Sequence, residues 1–296
     1  MKKSLHLILV IFISAVQLSE LQADHFMGGQ LSYETIDLDT VRGVYKVLLK
    51  LERPCNSFNT FHKEYAIKVL EYSAKRSPGY SLSVYSAKIF DSSYIYYPCA
   101  SPTEKCTNSG GQIIEVRYYK VNIVVPNSKK ECLIYFDEYS NRTYSDNLVT
   151  DDDPMVLYTS FIPCYTNTQV NLDESKRHFP LKNRWTNIAY TIDDKENDSI
   201  SFKTSLPFKA LNYNIAVQNL TYTLVKSQVK PGLNDNRPFN MNESAITVTP
   251  NSVQFTPSEV QSSWLTLVKS EFRKINRIYQ EEHLSNIILS GLLRDL

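Results

Sequence analysis

Residues 43–52 alternate in a strict period of two. In Gly43-Val44-Tyr45-Lys46-Val47-Leu48-Leu49-Lys50-Leu51-Glu52, Tyr45, Val47, Leu49 and Leu51 fall on one side of an extended chain, and Lys46, Lys50 and Glu52 on the other. That spacing belongs to a strand with one packed face and one solvated face, because successive side chains of an extended backbone point to opposite sides. The segment 37–43, Asp-Leu-Asp-Thr-Val-Arg-Gly, reads as the turn before it and makes a hairpin with Leu31–Ile36.

The same style recurs along the chain. Strands are expected at Tyr65–Tyr72, Tyr80–Phe90, Gln112–Val125 and Cys132–Phe136 in the first half. In the second half they are expected at Met155–Ile162, Gln169–Leu172, Ser199–Phe202, Tyr213–Val217, Thr221–Val229, Ala245–Val248, Val253–Thr256 and Ser262–Ser270. The breaks between them are turn-forming, as in Ser77-Pro78-Gly79 and Pro126-Asn127-Ser128. With 20 tyrosines and 8 glycines, the composition suits strands separated by polar turns. Short strands at this spacing favour an all-β fold of β-sandwich type. The polar run 141–154, ending Asp151-Asp152-Asp153-Pro154, divides the chain into two such sandwiches, 24–150 and 151–296; the alternative is a long surface loop within one domain.

Residues 1–23 read as a cleaved signal peptide. Lys2 and Lys3 precede the apolar run Leu7–Ile13, and Ala23 offers a small residue before Asp24. The competing reading, a membrane anchor, needs a longer apolar stretch than this one, which Glu20 closes off. No later segment is long and apolar enough to span, so the mature chain is expected to be exported and extracellular, cell-surface or periplasmic. Without the leader, 30 basic and 30 acidic side chains remain, and no basic excess is available to collect phosphates, which argues against nucleic-acid binding.

Export sets the reading of the five cysteines, some of which should pair in an oxidising compartment. Cys99 and Cys106 flank a proline-containing loop and are the first choice for a disulfide; Cys55 with Cys132 is the second, which leaves one thiol over. Zinc is the other reading, but no pair has CxxC spacing and no histidine lies nearby.

Catalytic motifs are not apparent. His25, His62, His178 and His283 sit in no HExxH pattern, there is no GxGxxG or P-loop, and no serine has the flanking glycines of a nucleophile elbow. The expectation is therefore a protein that is not an enzyme, although paired carboxylates of a hydrolase cannot be placed from sequence alone. One acidic stretch, Thr191–Ile200, holds Asp193, Asp194, Glu196 and Asp198 in one tight turn, the kind of oxygen ligands calcium takes. It has neither the glycine nor the terminal glutamate of an EF-hand and offers fewer than the usual six oxygens, so a plain acidic turn with no cofactor is the competing reading. The tyrosines of Tyr94-Ile95-Tyr96-Tyr97 could stack on sugars or fill a half-buried strand face. Glycosylation sequons stand at Asn141, Asn197, Asn219 and Asn242.

Several short motifs occur in an order that resembles a known family. Asp24-His25-Phe26-Met27-Gly28-Gly29-Gln30-Leu31-Ser32-Tyr33-Glu34 is similar to a His-x-x-Gly-Gly-Glu-x-x-Tyr segment that follows the signal peptide in gliding motility-associated surface proteins of gliding bacteria. Arg53-Pro54-Cys55 stands where those proteins carry Arg-Asp-Cys after a strand. The acidic turn at 193–200 corresponds to their Asp-x-Asp-Gly-Asp-Ser-Leu, here without the glycine. Phe255-Thr256-Pro257, Glu271-Phe272-Arg273 and Arg294-Asp295 follow in the same order. The resemblance implies tandem immunoglobulin- or cadherin-like modules, and proteins of that kind often carry a C-terminal sorting domain, which is expected to be absent here because the sequence stops where the second module would stop. It also implies an adhesin-like or structural role, binding a surface polymer or a partner protein; a carbohydrate-binding module and a secreted hydrolase are the alternatives.

The last residues divide the local and the family readings. Leu284, Ile287, Ile288 and Leu292 have helical spacing, whereas the resemblance implies a returning strand. We read 270–293 as strand, since tertiary context often overrides a local pattern.

Overall fold

The computed structural model describes residues 26, 28–55, 61–73, 78–96, 113–138, 147–149, 153–164, 171–173, 186–189, 191–193, 199–216, 219–238, 241, 246–249, 252–256, 258, 262–275 and 278–292. The expected leader, 1–23, lies outside them.

The described chain is all-β. The first hairpin joins β1 (Gly28–Leu38) to β2 (Arg42–Pro54). Its turn is built by Asp39, whose Oδ1 accepts hydrogen bonds from the amides of Val41 and Arg42 at 2.6 and 2.7 Å, a local bond that aspartate offers readily. β3 (Glu64–Ser73), β4 (Gly79–Tyr96), β5 (Ile113–Pro126), β6 (Cys132–Glu138) and β7 (Met155–Phe161) follow. The long hairpin of β16 (Ser262–Ile275) and β17 (Ile278–Leu292) ends the described chain, so 270–293 is strand, not helix, wherever it is described.

The strands pair in the order β1-β2-β5-β4-β3-β6-β7-β17, and β17 pairs in turn with β1. All these pairings are antiparallel. The sheet therefore curls onto itself as a closed ring, a barrel in which the first described strand meets the last. β16 and β11 (Ser199–Ser205) extend the same sheet outward from β17.

The interior is the face foreseen for β2. Tyr45, Val47, Leu49 and Leu51 are buried together with Leu31, Tyr33, Tyr65, Ile67, Val69, Tyr119, Ile123 and Ile134. Aromatic rings fill both ends of this core. Tyr33 stacks on Phe161 at 4.4 Å, while Tyr65 meets Tyr119 and Phe136 edge-on at 5.0 and 5.6 Å. Such pairs contribute beyond their buried area. Two buried tyrosine hydroxyls find acceptors: Tyr45 donates to the Pro163 carbonyl at 2.8 Å and Tyr119 to that of His62 at 2.9 Å. Gly29 lies where the ring closes; a Cβ there would come within 2.8 Å of the Lys50 carbonyl oxygen and 2.9 Å of Leu157 Cδ1.

The second half of the chain does not stand apart from the first. β6 pairs with β7 from Glu138–Met155 to Cys132–Phe161, directly across the expected boundary at 150/151. Every residue of β7 is buried, because Met155, Leu157 and Phe161 face the barrel core while Val156 and Tyr158 face outward. A hairpin of β12 (Phe208–Ala216) and β13 (Asn219–Lys226) covers that outer face. There Phe208 and Leu211 pack with Leu70, Leu133, Tyr135, Val156 and Tyr158. A third cluster joins Leu265 and Leu267 of β16 to Met241, Val253 and Phe255. It lies beside a small sheet of β9 (Thr186–Ala189), β14 (Thr247–Thr249) and β15 (Ser252–Phe255). β8 (Asn171–Asp173) and β10 (Thr191–Asp193) pair separately. No helix among the described residues is long and apolar enough to cross a membrane.

Candidate binding site

β4 has 18 residues and β3 has 10, and this mismatch creates a ledge. β3 accompanies β4 only from Gly79 to Lys88. Beyond that point β5 is the one strand partner of β4 among the described residues, from Lys88 to Tyr96. A bulge between Ile89 and Asp91 shifts the register where the overhang starts, as bulges do where a strand is bent away from its sheet.

Aromatic side chains crowd this ledge on both faces. Phe90, Tyr94 and Tyr96 are 45%, 46% and 37% exposed. Tyr94 lies directly opposite Glu115, which lies directly opposite Arg53, so one row across three strands shares one face. Tyr96, opposite Ile113, belongs to that face too. On the other face the Lys120 ammonium sits 4.8 Å from the Phe90 ring centroid, and Tyr118 is 6.3 Å from Phe90.

Beside the tyrosines, on the same face, is a buried polar cluster. Arg53 donates from Nε and Nη2 to Glu115 Oε2 at 3.1 and 2.7 Å, and Arg117 Nε donates to Glu115 Oε1 at 2.6 Å. The Arg53 guanidinium lies over the Phe61 ring at 4.5 Å, and that of Arg117 at 5.9 Å. Arg53 and Glu115 are almost wholly buried. A buried carboxylate shared between two guanidiniums is fixed in place and charge-compensated, an arrangement suited to rigidity rather than to proton transfer. Lys50 pairs with buried Glu52 on the opposite face of β2 at 3.0 Å.

The residues singled out in the sequence fall in different places. Tyr94 and Tyr96 stand on the ledge, while Tyr97 lies outside the described residues. Asp193 ends β10, its backbone opposite Asn171; Asp194, Glu196 and Asp198 lie outside the described residues, as do Cys99 and Cys106. Among the described residues no three His, Cys, Asp or Glu side chains are gathered to hold a metal ion. Of the sequons, Asn219 is exposed at the start of β13, and the other three lie outside the described residues.

The expected Cys55–Cys132 disulfide is not formed. Cys132 is a free, buried thiol, and Cys55 is disulfide-bonded to a partner that lies outside the described residues. The register explains why. The Cys55 amide bonds the Ile113 carbonyl at the start of β5, whereas Cys132 lies beside the Leu133–Leu70–Leu82 row, level with the far end of β5. The two cysteines are at opposite ends of the barrel, far beyond the Cα separation of about 4.4–6.8 Å that a disulfide spans. Cys164 is free as well.

The Arg53–Glu115–Arg117 cluster is not among the sites expected from the sequence. A signal was present: Glu115 and Arg117 occupy the same alternation phase as Tyr119 and Ile123, the inward phase of β5. Charged residues at inward positions mark a buried pair. No family model, curated protein or solved structure matches this chain.

Proposed function

We propose that this chain is an exported, non-catalytic binding protein of the cell surface, and that the β4–β5 ledge is where it engages a surface polymer or partner protein. One observation carries the reading: two large aromatic side chains, Tyr94 and Tyr96, stand exposed on one face of a strand overhang beside a rigid charged cluster, with Phe90 exposed on the other face. Exposed tyrosine offers broad, partly polar contact area at low conformational cost, which suits recognition. The ordered motif likeness to gliding motility-associated surface proteins supports the location, and the leader-like residues 1–23 support export.

A carbohydrate ligand is the second reading, favoured specifically by the pairing of Tyr94 and Tyr96 on one face. Aromatic faces pack against the C–H face of a sugar ring, while Arg117, half-exposed beside them, can donate hydrogen bonds to its hydroxyls.

The test is binding of the full chain to immobilised cell-surface polysaccharides and to outer-surface proteins, compared with Tyr94→Ala and Tyr96→Ala. Loss of about tenfold or more in affinity in either variant, with unchanged melting temperature, supports the ledge. Unchanged binding in both variants rejects it.

A further inference from the structure

At the barrel end away from the ledge, two free thiols lie on the strand ends around one tyrosine. Cys132 opens β6 and lies directly opposite Phe161, the last residue of β7. The Phe161 ring is 4.7 Å from that of Tyr45, and the Tyr45 hydroxyl donates to the carbonyl of Pro163, the residue before Cys164. Burial raises the pKa of the Tyr45 hydroxyl, and the Cys132 and Cys164 thiols each raise it further. The chain turns at Pro163 and Cys164 immediately after β7.

We propose that Cys132 and Cys164 form a dithiol pair that closes to an intramolecular disulfide when the folded protein meets a small disulfide oxidant such as oxidised glutathione. The inference does not depend on the binding reading above. Cys164 is half-exposed and Cys132 fully buried, which sets the order of events. The Cys164 thiolate attacks the oxidant, forming a mixed disulfide and releasing one reduced thiol. The Cys132 thiolate then attacks Cys164 Sγ, closing the protein disulfide and releasing the second reduced thiol. Both cysteines are oxidised by one electron each, and the oxidant takes up the two electrons with the two protons. The Cys132 thiol is pushed well up by burial, then by Glu71 and Glu131, so the second step is the slow one and quickens as pH rises. The titratable groups that interact electrostatically with that thiol are Tyr45, Glu71, Tyr80, Tyr85 and Glu131. Closure ties the start of β6 covalently to the exit of β7, where the chain leaves the barrel.

The experiment treats the purified full-length protein with oxidised glutathione at neutral and mildly alkaline pH, blocks remaining thiols, and maps non-reduced peptides by mass spectrometry. A linked Cys132–Cys164 peptide pair, forming faster at the higher pH and accompanied by a rise in melting temperature, is the expected result. Cys164→Ser, a change at a half-exposed position, should leave Cys132 unlinked and alkylatable after denaturation. A lasting glutathione adduct on Cys164 with Cys132 still reduced overturns the proposal. So does a disulfide-linked dimer through Cys164, or Cys132 linked to another cysteine in the Cys164→Ser variant.

Discussion

Arg53 and Glu115 face each other across β2 and β5, and two nitrogens of the arginine converge on one carboxylate oxygen of the glutamate inside the barrel end. Removing the carboxylate strands a guanidinium that has almost no access to water. Glu115→Ala should cost about 3–5 kcal/mol in urea unfolding, whereas replacing both partners, Arg53→Met with Glu115→Leu, should recover most of it. A double replacement as damaging as the single one would show that the pair is not what stabilises this end.

Gly29 has no room for a side chain, since the nearest obstacles to a Cβ are a backbone oxygen of β2 and the Leu157 side chain. Gly29→Val should lower stability by about 1–3 kcal/mol, the usual cost of overpacking. The loss should appear as faster amide exchange in β1. A variant as stable as the parent would mean that the closing strand sits further from its neighbours.

Glu71 gives a pH signature of definite sign. Its pKa is raised above the ordinary 4.5, first by burial and in spite of a hydrogen bond from Ser83. A carboxyl whose folded pKa is raised stabilises the fold while protonated, and that contribution fades as pH climbs from the unfolded value through the folded one. Glu71→Gln removes this dependence. The variant should therefore gain stability relative to the parent as pH rises above about 4.5. Parallel pH–stability curves for the two proteins would contradict the assignment.

Residues 24–150 expressed alone carry β1 to β6 but lack β7 and β17, which pair with β6 and β1. Exposed strand edges pair with other chains. The fragment should aggregate or show poorly protected amides in β1 and β6, while the full chain protects both. A soluble, cooperatively unfolding fragment would restore two independent modules.

Strand content was largely legible because it is local. The inward face Tyr45, Val47, Leu49 and Leu51 follows from alternation, while the apolar stretch Met155–Tyr158 that opens β7 suits a strand buried on both faces. What alternation does not encode is which edge a strand joins. The polar run 141–154 reads as a linker, yet Met155–Phe161 returns to pair with β6 in the first sheet. Leu284, Ile287, Ile288 and Leu292 carry helical spacing, but the backbone there pairs with β16 along its length, and long-range pairing outweighs a weak local preference. The ledge was half-visible: the tyrosines stood out, while the Glu115–Arg53 pairing depends on the register of two strands far apart in sequence.

The pairing of β1 with β17 carries a consequence for how the molecule comes into being. The strand that seals the ring, β17, is synthesised only after every other strand of the barrel, and its partner β1 is made before them. No early portion of the polypeptide can finish the barrel while the remainder is still on the ribosome, and contacts so distant in sequence slow folding. A nascent chain of this design keeps its barrel open until β17 has emerged.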